Sequence, residues 1–149
     1  MKRLPDFGGT APSRDGPSTR RPLLLTTASL LYSTTGLLYA AGSTLVTALL
    51  LNEGALVELV GIRFYQGSYI ARQGFIWVIA ATLTFALVGV AHFIAGRLLW
   101  RSRRSGVFVA VAAFPIVMGL CICGEAPVAL RLEPIKLIFV LVASGHLRS

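Results

Sequence analysis

The sequence predicts an all-α membrane protein, a compact bundle of four transmembrane helices with a short fourth helix and a small extracytoplasmic loop structure between the first two. Three observations predict it. Residues 22–51, 73–96 and 105–124 hold no Asp, Glu, Lys or Arg, and each run is long enough to cross a hydrocarbon core of about 30 Å. The composition is 55% hydrophobic, above the roughly 45–50% apolar content of soluble domains, and the mean hydropathy is +0.74. The charges fall into two unlike groups along the chain.

Residues 1–21 combine Pro5, Gly8, Gly9, Pro12, Gly16 and Pro17 with Ser, Thr and charges. Such a stretch has too little apolar surface to offset its ordering entropy and is expected to be a flexible, basic cytoplasmic tail. The rest, 22–149, reads as the transmembrane domain, with helices at about 22–51, 75–99, 105–123 and 128–147 and an outer loop at 52–74. Ser18-Thr19-Arg20-Arg21-Pro22-Leu23-Leu24 resembles a twin-arginine export signal, but no cofactor-bearing domain follows, and the basic pair reads as a membrane flank.

The first helix would be about 45 Å long, which calls for tilt. Ser29, Ser33, Gly36, Ala40, Thr44 and Ala48 recur along one stripe of it, and small residues at that spacing let helices pack closely. The hydroxyls of Ser33, Thr34, Thr35 and Thr44 could instead line a polar groove, although in such helices they usually bond back to their own backbone. Trp77 and Trp100 bracket the second helix at headgroup level, and Pro115 is expected to kink the third. For the fourth, 134–147 alone is about 21 Å long. Beginning near Val128 lengthens it but places Arg131, Glu133 and Lys136 in its outer third, to be relieved by snorkelling and mutual pairing; a half-dipping or peripheral segment is the alternative to this short fourth span.

Ten of the fourteen basic residues lie in the tail, in the loop holding Arg97, Arg101, Arg103 and Arg104, or at Arg148, accompanied by Asp6 and Asp15 alone. Segments 52–74 and 125–136 match Arg63, Arg72, Arg131 and Lys136 with Glu53, Glu58, Glu125 and Glu133. One side therefore carries a net +8 and the other zero, so the positive-inside rule puts the amino terminus and the Arg-rich loop in the cytoplasm of an inner or plasma membrane. Arg97, Arg101, Arg103 and Arg104 read as topology determinants that also meet anionic headgroups. This distribution makes the lipid bilayer the partner, not nucleic acid.

In the outer loop, Val60–Tyr65 and Ser68–Arg72 could form a hairpin around Gln66-Gly67. An interfacial helix using Ala55, Leu56, Leu59, Val60 and Ile62 is the alternative. Phe64, Tyr65 and Tyr69 suit interface anchors.

Little chemistry is announced. Cys121 and Cys123 are two apart on a helix, with both histidines expected on the other side of the membrane, so no metal or other cofactor is expected. His92 is the one ionisable side chain well inside a strongly apolar run and thus the candidate intramembrane polar site. It lies five residues from Arg97, and with every acid assigned to tail or outer segments it has no intramembrane carboxylate to form a proton relay. Nucleophile-elbow, zinc-protease and phosphate-loop motifs are absent. No catalytic residue is therefore expected.

The basic, Trp-containing turn Gly96-Arg97-Leu98-Leu99-Trp100-Arg101-Ser102-Arg103-Arg104-Ser105-Gly106, with the Pro134-Ile135-Lys136-Leu137 entry to the last helix, resembles the small bacterial four-helix integral membrane proteins of DoxX-like layout. The resemblance implies a four-helix arrangement and carries over no functional residues. The expected role is that of a non-enzymatic accessory or structural subunit, associating through the small face of the first helix as a homo-oligomer or with a larger membrane partner. A small transporter or channel component and a holin-like membrane-perturbing protein are the alternatives.

Overall fold

The computed structural model describes residues 23–54, 58–59, 62–63 and 67–146. The expected flexible tail lies outside the described residues. Four long helices pack together: α1 (Leu23–Glu53), α3 (Phe75–Trp100), α4 (Ser105–Cys123) and α5 (Pro127–Ala143). Between α1 and α3 lie a two-residue antiparallel ladder of β1 (Glu58–Leu59) and β2 (Ile62–Arg63) and the single-turn α2 (Tyr69–Arg72). Among the described residues α1, α3 and α4 are long and apolar enough to cross a membrane, consistent with a membrane protein. A short 3-10 turn, Ser144–His146, follows α5.

The segment expected to form the second hairpin strand, Ser68–Arg72, is instead the capped turn of α2. Ser68 holds extended backbone and its Oγ accepts from the Ala71 N–H at 3.3 Å, which is how serine favours a helix start over a strand. Ile70 then turns inward onto Val46, Leu50, Val78 and Ala81. The interfacial-helix alternative is also displaced, since 58–59 and 62–63 are paired strands.

α1 and α3 run antiparallel and make the most extensive contact of the bundle. Their backbones nearly touch. A Cβ built on Gly36 would fall 2.7 Å from the Gly89 carbonyl oxygen, and one on Gly89 would fall 2.8 Å from that of Gly36. Further along, a Cβ on Gly96 would fall 2.8 Å from the Ser29 carbonyl oxygen. The Ser29 hydroxyl donates to the Gly96 carbonyl at 2.7 Å, one of the interhelical bonds that small polar residues make in such interfaces. The same device recurs where Gly106 of α4 packs on Leu99 of α3.

Outward faces carry large aliphatic and aromatic residues such as Leu37, Leu38, Leu87, Phe108, Ile122 and Ile138, all exposed. At the Arg-rich end the interior is closed by Leu25, Ala28, Tyr32, Ala95, Leu99, Ala110, Val140 and Ala143. α4 runs helically through Pro115.

Both tight interhelical turns use a non-glycine residue in the left-handed region, Ser102 at φ 55° and Glu125 at φ 53°. In the first, Ser102 N–H donates to Leu99 O and Arg103 N–H to Leu98 O. In the second, Glu125 N–H donates to Ile122 O and Ala126 N–H to Cys121 O. These are the paired bonds of a Schellman helix end, where glycine is the usual choice.

Replacing Gly89 by Leu should cost at least the roughly 1–3 kcal/mol typical of overpacking, because the new side chain has only backbone to displace. Gly42→Ala should be close to neutral, since a Cβ there meets nothing within 4 Å. Thermal unfolding of both variants in detergent checks the difference; equal melting temperatures would remove the glycine contact as a determinant of the bundle.

Candidate functional site

The centre of the bundle is charged. Along α5 the residues Glu133, Lys136, Val140 and Ala143 are its buried set, a helical stripe facing inward, while Arg131 is exposed. Along α3 the inward stripe includes Phe85, Val88, Gly89, His92, Ala95 and Leu99. Tyr32, Thr35 and Tyr39 lie at three- and four-residue spacing on α1, which brings them to one face. These three stripes meet around one cluster.

Lys136 Nζ lies 2.6 Å from Glu133 Oε1 and donates to Thr35 Oγ1 at 3.0 Å. The Tyr39 hydroxyl donates to the same Glu133 Oε1 at 2.9 Å. The ammonium also sits 5.0 Å from the Tyr32 ring centroid and 5.3 Å from that of Tyr39, within the range over which a cation is held by an aromatic face. His92 packs edge-on against Tyr32 at 5.1 Å between ring centroids. Its Nε2 stands 3.8 Å from Glu133 Oε2, too far for a hydrogen bond. Relative exposure is 0% for His92, Glu133 and Lys136, so every one of these charges is cut off from solvent. Both His92 nitrogens and Glu133 Oε2 have no hydrogen-bond partner among the described residues.

This corrects the charge assignment made from sequence. The mutual pairing expected of Glu133 and Lys136 is present at 2.6 Å, but both are core residues, fully buried, and not outer-segment charges relieved by snorkelling. The balance of charge between the two sides is unaffected, because the pair sums to zero. His92, expected to stand without a carboxylate, has Glu133 Oε2 at 3.8 Å from its Nε2.

On the side of the cluster away from the Arg-rich end lies a cavity of about 530 Å³ opening between α1, α3 and the α4–α5 turn, with Thr35, Tyr39, Thr82, Phe85, Leu120 and Glu125 among its walls. Thr35 and Tyr39 belong to both places, lining the cavity and bonding the charged cluster. The volume is within the roughly 300–1,000 Å³ of small-molecule sites.

Comparison with known protein families, curated proteins and solved structures gives no match.

The remaining sequence candidates sort clearly. Ser29 and Gly36 are buried against α3, Ser33 and Ala40 are half-buried, and Thr44 and Ala48 are exposed, so only part of the small-residue stripe is an internal contact. The hydroxyls of Thr34, Thr35 and Thr44 donate to the carbonyl one turn earlier, at 2.8, 2.6 and 2.7 Å. Arg97, Arg101, Arg103 and Arg104 are all exposed around one turn. Cys121 is a buried apolar contact of Phe85, Val88 and Val117, and among the described residues no group of three potential ligands surrounds a metal position.

Glu133, Lys136, Tyr32 and Tyr39 were missed as site residues, although the three- and four-residue spacing that places Glu133 and Lys136 on one stripe with Val140 is visible in the sequence.

Removing one partner of such a pair leaves an uncompensated buried charge, a loss of about 3–5 kcal/mol. Lys136→Met should therefore lower unfolding stability severely, while the double variant Glu133→Gln/Lys136→Met should recover most of the loss. A detergent unfolding titration on the single and double variants measures this, and a double variant no better than the single would dissolve the pair as a unit.

Proposed function

We propose that this chain is a small carrier of the inner or plasma membrane, non-enzymatic, with four crossings and both ends cytoplasmic, caught with its interior site open to the outer side. What carries the reading is the fully buried Glu133–Lys136–His92 cluster in an otherwise apolar bundle. Ionisable groups in membrane segments are costly and mark substrate or proton pathways when they are retained.

The asymmetry around the cluster supports a carrier over an open channel. On one side is the cavity, with Tyr39 and Thr35 among its walls; on the other Leu25, Ala28, Tyr32, Ala95, Leu99, Ala110, Val140 and Ala143 pack together as a buried cluster. In this reading the arginines of the α3–α4 turn face the cytoplasm, since they lie at the sealed end and carry the excess positive charge. The cavity then faces outward, and α5 completes the fourth crossing by burying its two central charges against α1 and α3. Glu133 Oε2 and His92 Nε2, unpartnered and 3.8 Å apart, form the place where a proton can be gained or lost while Lys136 and Tyr39 hold the other carboxylate oxygen. Tyr32 and Cys121 are the further titratable groups facing the cluster. The accessory-subunit reading has weaker support, because α3 of the same chain already occupies the small face of α1 around Gly36 and Ser29.

Accessibility decides it. In a background with Cys121 and Cys123 replaced by Ala, single cysteines at Gln73 and Gly42 should react with an impermeant thiol reagent from outside, and those at Ser105 and Gly145 from the cytoplasmic side. A cysteine at Val140, inside the seal, should react slowly from the cytoplasmic side and several times faster when the double variant Glu133→Gln/Lys136→Met removes the charged pair without leaving one ion unpaired. No reaction at Val140 under either condition would make the bundle a rigid scaffold and end the carrier reading; outward reaction at Gly145 would remove the fourth crossing.

A further inference from the structure

We infer that the cavity beside the charged cluster binds an uncharged, apolar-bodied molecule with a hydroxyl head, such as a long-chain alcohol, its head seated on Tyr39, Thr35 and Thr82. This deepens the carrier reading and rests on it for the direction of movement, though not for binding itself. The walls are largely apolar, built from Leu38, Val46, Phe85, Leu120 and Leu132, which selects a hydrocarbon body. The floor selects the head.

Each of the three floor hydroxyls has already committed its proton elsewhere. Thr35 donates to Leu31 O at 2.6 Å, Thr82 to Val78 O at 3.0 Å and Tyr39 to Glu133 Oε1 at 2.9 Å. Thr35 also accepts from Lys136, so each oxygen keeps at least one lone pair and no proton to offer. A guest at the floor must donate.

Charge narrows the head further. A carboxylate would find no free proton on the three floor hydroxyls, Ser43 being the remaining hydroxyl among the walls, and it would share the cavity with the Glu125 carboxylate. Glu125 is held at φ 53°, a conformation retained at some cost by a residue other than glycine. An ammonium head at the floor would be a buried charge without a free counter-ion, since the Glu133 carboxylate is already paired with Lys136 at 2.6 Å, and burying an unpaired charge is costly. A neutral hydroxyl has neither problem. It donates to one floor oxygen and leaves the Glu133–Lys136 pair balanced.

The test uses the purified full chain in phosphatidylcholine nanodiscs and three photoreactive 16-carbon probes alike except for the head: alcohol, primary amine and carboxylate. The alcohol probe should label cavity residues at least threefold more than either of the others. Labelling should fall at least threefold in Gly42→Trp, which fills the cavity from an open position, and in Thr82→Val, which removes a floor oxygen with little change of shape. Should Gly42→Trp fail to fold, Gly42→Leu and Thr82→Val still report. Equal labelling by the three probes, or no loss in Thr82→Val, would make the cavity a slot for lipid chains and overturn the inference; strongest labelling by the amine or the carboxylate would overturn the choice of head. Because labelling needs no movement of the seal, its failure is distinguishable from an unreactive Val140→Cys.

Discussion

The pairing of Glu133 with Lys136 at the middle of an apolar bundle is the constraint from which most of the structure follows. Two ions without solvent cannot stand alone in such surroundings, and the desolvation cost exceeds their mutual attraction unless further groups complete their shells. Tyr39 and Thr35 do so directly, one donating to the carboxylate and the other accepting from the ammonium. Tyr32 adds an aromatic face to the ammonium. All three are on α1, so α5 can bury its charges only if α1 stands close. A short helix that would be a poor membrane span by its own hydropathy is thereby held in the bundle by polar contacts as well as apolar ones.

Close approach is the second condition, and glycine supplies it. Gly36 against Gly89 and Gly96 against Ser29 bring the α1 and α3 backbones together, which sets His92 beside Tyr32 and within 3.8 Å of Glu133. In a lipid environment, where hydrophobic exclusion between helices is lost, this packing and the Ser29 hydrogen bond are the available sources of association. The two helices stay packed toward the other end as well, where Val46 and Leu50 meet Val78 and Ala81, and the cavity opens beside that contact, toward the α4–α5 turn.

The three uncharged runs were legible because a span announces itself by the lack of charge, and α1, α3 and α4 follow them. The packing stripe of α1 was legible over Ser29 and Gly36 for the same kind of reason, since size at helical spacing is a local property. Its partners Gly89 and Gly96 are seven residues apart on α3, matching the spacing of Ser29 and Gly36, and that correspondence appears only when two helices are compared. The site itself was hidden by the very rule that revealed the spans. A charge count treats Glu133 and Lys136 as evidence against burial, whereas their stripe with Val140 and Ala143 argues for it. Deciding between the two requires knowing that Tyr39 and Thr35 are available across the bundle, which is a tertiary fact. The loop was misjudged for a different reason: Ser68 serves equally as a turn residue and a helix cap, and the burial of Ile70 settles the matter in favour of the cap.

The cluster is left deliberately incomplete on one side only. Glu133 Oε1 is doubly bonded by donors, while Oε2 and both nitrogens of His92 have no partner among the described residues. Buried groups in that state are unfavourable and ask for an explanation such as a water, a proton or a guest. In the tautomer of neutral His92 that carries its proton on Nε2, a single bridging hydroxyl or water would give Nε2 and Oε2 each a partner without any change of charge, leaving Nδ1 as the open acceptor. Protonating His92 would instead draw Glu133 toward α3 and weaken its hold on Tyr39 and Lys136. Because Tyr39 and Thr35 are also the cavity floor, such a shift would alter the acceptors offered to a guest. Tyr39 and Thr35 thus join the cavity to the charged cluster, and it is through these two side chains that the proposed carrier would couple occupancy of the one to the charge state of the other.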